Sequence, residues 1–84
     1  MRYDVSVIKI VKSYIGAHRG WAVAEQFEDS YNGEPFEEQN GNALLMIRDI
    51  VRTLANSDVF AEKAVDDLKD YLDELERYLA KRPE

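Results

Sequence analysis

Eighty-four residues and 9.7 kDa allow one small core, because a chain this short buries only about 60% of the surface its unfolded form exposes. Hydrophobic residues at 45% and charged residues at 33% exclude both a disordered chain and a bilayer-spanning one. The absence of cysteine excludes disulfides, zinc-thiolate sites and thiol nucleophiles, and a single histidine, His18, leaves little general-base or metal chemistry.

The net charge of −6 disfavours unselective binding to nucleic acid or anionic lipid, and its distribution is uneven. Residues 1–20 carry +3, residues 21–42 carry −6 with no base at all, and residues 57–76 carry a further −6. The opening stretch MRYDVSVIKIVKSYIG does not read as a signal peptide, since Lys9 and Lys12 interrupt its apolar run; a cytoplasmic address is expected.

The first element is a helix over about residues 5–15. Tyr3, Val7, Ile8, Ile10, Val11, Tyr14 and Ile15 share one arc of a helical wheel, and strict alternation fails at Val7-Ile8 and Ile10-Val11. Asp4 is the candidate cap, and Gly16 the candidate left-handed residue that ends the helix. GAHRG then connects to a second helix over 21–31, whose Val23, Ala24, Phe27 and Tyr31 fall on one face and whose end is marked by Asn32-Gly33. That dipeptide is also a hairpin signal, but Pro35 and the pairs Glu25-Gln26 and Glu28-Asp29 speak against two strands.

Residues 33–41 read as a loop anchored by Phe36. Asn42 is the candidate cap of a third helix, 43–55, with Ala43, Leu44, Met46, Ile47, Ile50, Val51, Leu54 and Ala55 inward and Leu45 outward. Ser57 or Asp58 would cap a last helix over 58–81, about 34 Å long. Its Val65, Leu68, Leu72, Leu75 and Leu79 recur at alternating steps of three and four, a seam too short for a dedicated coiled coil. The short connections predict an all-α, four-helix, mostly antiparallel bundle with a long C-terminal helix, forming a single domain over 1–84.

For chemistry, His18 reads as an exposed loop residue or a C-terminal helix partner and not as a base, and Ser6, Ser13 and Ser30 read as surface residues with no partner base nearby in sequence. Asp66, Asp70, Asp73 and Glu74 share an outward face without the histidines of a carboxylate metal site, so neither metal nor cofactor is implied. A helix-turn-helix would place Glu25, Glu28 and Asp29 against phosphates, which leaves Lys9, Lys12, Arg48 and Arg52 as the only nucleic-acid candidates.

Protein recognition is the leading expectation. Glu25, Glu28, Asp29, Glu34, Glu37 and Glu38 are interleaved with Trp21 and Phe36, a pattern in which acids steer association and aromatics supply buried area. The function expected is a non-catalytic module that binds a basic protein surface, such as that of a toxin or a nucleic-acid-binding protein. An inhibitor, an immunity-type protein or a phage or plasmid accessory protein would each act in this way. The alternative is a homodimeric helical module that self-associates through Leu45, Leu72, Leu75 and Leu79.

Overall fold

The computed structural model describes residues 5–82 and contains four α-helices: α1 (Val5–Arg19), α2 (Trp21–Tyr31), α3 (Gly41–Ala55) and α4 (Glu62–Lys81). A single 3₁₀ turn, Phe36–Glu38, interrupts the loop between α2 and α3. There is no strand among the described residues, so Asn32-Gly33 closes a helix and not a hairpin. No helix among them is long and apolar enough to cross a membrane.

α1 runs one turn beyond its predicted end. Gly16 is helical, and the break falls at Gly20, whose φ of 93° and ψ of 160° are open to glycine alone at little cost. The Gly20 amide donates to the Gly16 carbonyl and its own carbonyl accepts from Ala24, so one residue reverses the chain with its backbone bonds kept. His18 therefore sits in the last turn of α1, its ring 4.4 Å from that of Tyr14. The predicted cap Asp4, and Tyr3, lie outside the described residues.

α2 has the bounds its punctuation predicts. Gly33 adopts φ 112°, its amide donates to Ser30, and the Glu34 amide donates to Asp29, the two bonds of a Schellman stop. α3 starts at Gly41, and its cap is Asn40, not Asn42: the Asn40 Oδ1 accepts from the amides of Asn42 and Ala43. α4 starts at Glu62, four residues later than predicted. Ser57 caps the preceding helix instead, donating to the Leu54 carbonyl, and residues 57–60 bend so that Phe60 packs half-buried against the core.

α1 packs chiefly on α2 and α3 on α4, with α2 and α1 laid against α3. Both neighbouring pairs run antiparallel. Lys12 and Glu28, each eight residues from Gly20, form an ion pair, and Arg82 beyond α4 lies beside Gly41 at the start of α3. α4, about 30 Å long, spans most of the 35 Å longest dimension of the molecule.

The core is the expected set of stripes. Val7, Val11 and Ile15 of α1, Phe27 and Tyr31 of α2, Leu44, Ile47 and Val51 of α3, and Leu68, Tyr71 and Leu75 of α4 are almost fully buried. Three assigned core positions, Ile10, Tyr14 and Met46, are instead exposed, because each helix buries an arc narrower than its apolar one. Ser30, read as a surface residue, is buried. Its hydroxyl bonds the Phe27 carbonyl and lies 2.7 Å from the Tyr71 hydroxyl, so the polar group is satisfied inside the core.

Candidate functional site

The acidic segment is built on the exposed side of α2. Trp21, Glu25 and Glu28 stand at steps of four and three, one above another, and Asp29 and Glu34 close the row. Trp21, the first residue of α2, leans back over α1. A β-carbon at Gly16 would come within 3.1 Å of its ring, so the bare backbone there is the seat of the indole. Trp21 still keeps 59% of its surface exposed, the largest fraction among the large hydrophobic residues described. Four residues before Gly16, Lys12 places its ammonium 5.9 Å from the Trp21 ring centroid and 2.7 Å from Glu28 Oε1.

The stop of α2 adds the last acid. The Schellman bonds hold the Glu34 backbone against Asp29, which brings a fourth carboxylate to the end of the helix. The Asp29 carboxyl is consequently held above its ordinary value of 3.8: partial burial pushes it up, and Glu34, Glu28 and Glu25 add like-charge repulsion that Lys12 only partly offsets. Lys12 is pushed the same way for the opposite reason. Its hydrogen bond to Glu28 stabilises the ammonium, and Glu25 and Asp29 reinforce it. One lysine thus serves several carboxylates. Glu28 and Asp29 also lie in the last turn of α2, which holds no basic residue and where the helix dipole disfavours anions.

The remaining predicted residues divide. Glu37 and Glu38 are exposed on the 3₁₀ turn, and Glu34 accepts a hydrogen bond from Gln39. Phe36 is half-buried between Tyr71 and Tyr78, with ring centroids 6.0 and 5.5 Å away, and so covers the core. It anchors the loop as expected, but Trp21 is the aromatic that stands open to contact. Of the self-association set, Leu72 and Leu75 are buried in the bundle, Leu79 is half-buried, and Leu45 is 38% exposed.

The four basic residues of the nucleic-acid reading separate onto two helices. Lys12 is engaged by Glu28, Arg48 by Asp49 and Arg52 by Glu76, while Lys9 is exposed. Sequence reasoning missed the parts played by Gly16 and Lys12. The spacing Lys12, Gly16 on α1, facing Trp21 and Glu28 across a one-residue turn, was the available signal.

No protein-family model, no curated protein and no solved structure matches this chain. Any functional reading therefore rests on its own residues.

Proposed function

We propose that the chain is a small non-catalytic binding protein that docks a cationic protein surface through the α2 face. Glu25, Glu28, Asp29 and Glu34 are the steering charges and Trp21 the anchor. The observation that carries this reading is the crowding of four carboxylates, answered by one ammonium, against a largely exposed indole. Placing acids where they repel one another and oppose a helix dipole costs folding stability, and a contact with a basic partner would recover that cost. Glu37 and Glu38, on the adjoining turn, extend the same negative field.

The experiment is capture from lysate at low and high salt, followed by stopped-flow association with the partner so identified. Capture should weaken as salt rises. Glu25→Lys with Asp29→Lys should slow association by about tenfold or more, since opposite charge is what raises the on-rate. Trp21→Ala should act on dissociation instead. Association indifferent to salt and to both reversals would end the proposal.

A further inference from the structure

The groove between α3 and the end of α4 concentrates charge of the opposite sign. Leu45, Arg48 and Arg52 of α3, Glu76 and Leu79 of α4, and Arg82 just beyond it line a cavity of about 530 Å³, within the size range of small-molecule sites. The spacing of Leu45, Arg48 and Arg52 puts them on one stripe of α3. Arg82 reaches this stripe because position 41 is glycine: its guanidinium occupies the space where a β-carbon would stand. Three guanidiniums face one carboxylate, so the lining is positive in a chain whose net charge is −6. Arg52 pairs with Glu76, Arg48 is braced by Asp49 through its Nε and Nη2, and Arg82 meets no carboxylate among the described residues.

We propose that this groove binds a small phosphorylated organic molecule, its phosphate dianion held by Arg48, Arg52 and Arg82 and its organic part laid on Leu45 and Leu79. The planar donor forks of arginine suit phosphate oxygens, and three of them exceed what Glu76 and Asp49 together can satisfy. The group keeps a net positive charge, which favours an anion. A polyanion is disfavoured, because the acidic remainder of the molecule repels a long strand while leaving a compact anion its local site. Leu45 and Leu79 give the groove an apolar wall that inorganic phosphate alone would not use. This inference is independent of the acidic face on α2.

The test is an amide NMR titration of the whole chain with phenyl phosphate, and in parallel with phenylacetate and inorganic phosphate, at low ionic strength. Phenyl phosphate should produce saturable shifts confined to α3 from Asn42 to Arg52 and to the end of α4 from Glu76 to Arg82, and should bind more tightly than either of the others. Arg48→Gln and Arg82→Gln should each weaken it about tenfold or more. Glu76→Gln should tighten it, by freeing Arg52 from its internal competitor, an effect that loss of folding cannot imitate. Arg77→Gln, which removes a base paired with Asp73 outside the groove, should leave binding unchanged. Equal response to phenylacetate, equal loss on Arg77→Gln, or the absence of saturable binding would overturn the assignment.

Discussion

Gly20 turns the chain between α1 and α2 in a backbone region where a β-carbon is strained whatever space surrounds it. Gly20→Ala should therefore cost about 1–3 kcal/mol, read as a lower denaturant midpoint with an unchanged slope. Asn40→Ala should cost about 1 kcal/mol, and Asn42→Ala less than about 0.5 kcal/mol, because only the former removes an acceptor from the first turn of α3. These are the positions where the sequence was ambiguous. Two glycines four residues apart give the same stop signal, and the choice falls to Gly20 because Trp21 needs the bare backbone of Gly16 beneath its ring. Asn-Gly-Asn offers two caps, and starting the helix at Gly41 selects the earlier one.

At the scale of the element, α2 was legible to the residue because glycine flanks it at both ends, whereas α4 was read four residues too long. Ser57 and Asp58 look like caps in isolation, but burying Phe60 requires the chain to bend first. The acids of α2 were legible as a cluster; their unfavourable placement was not, since it depends on a Schellman bond folding Glu34 back onto Asp29. A consequence is measurable. The folded Asp29 carboxyl holds its proton more tightly than the unfolded one, so its contribution to stability falls as pH rises from below 3.8 through the raised folded value, and the penalty persists at neutral pH. Asp29→Asn should stabilise the protein at neutral pH by up to about 0.5 kcal/mol and lose that gain well below 3.8, which paired urea titrations would register. Lys12 behaves oppositely, stabilising fully below 10.5 and losing its contribution as pH climbs through its raised value.

At the scale of the whole molecule, the leucine seam of α4 supplies much of the internal core. Leu68, Leu72 and Leu75 are buried within the chain, whereas Val65 and Leu79 keep part of their surface open. Leu75→Ala should cost about 2–5 kcal/mol, a large part of the stability of a domain this size, whereas Leu45→Ala should change it by less than about 0.5 kcal/mol. The stripe was readable from its spacing, but its destination was not, because periodicity reports which side chains share a face and says nothing of what lies opposite. The same blindness explains Ile10 and Tyr14, apolar by pattern yet left at the rim of a narrower contact.

The one-residue joint at Gly20 also bears on how quickly the molecule assembles. It makes α1 and α2 close together over a very short stretch of chain, and α3 and α4 likewise meet their nearest neighbours in sequence. Little entropy is spent in closing such short loops, so the rate-limiting barrier should be low, with refolding on the microsecond-to-millisecond scale of helical proteins with local topology.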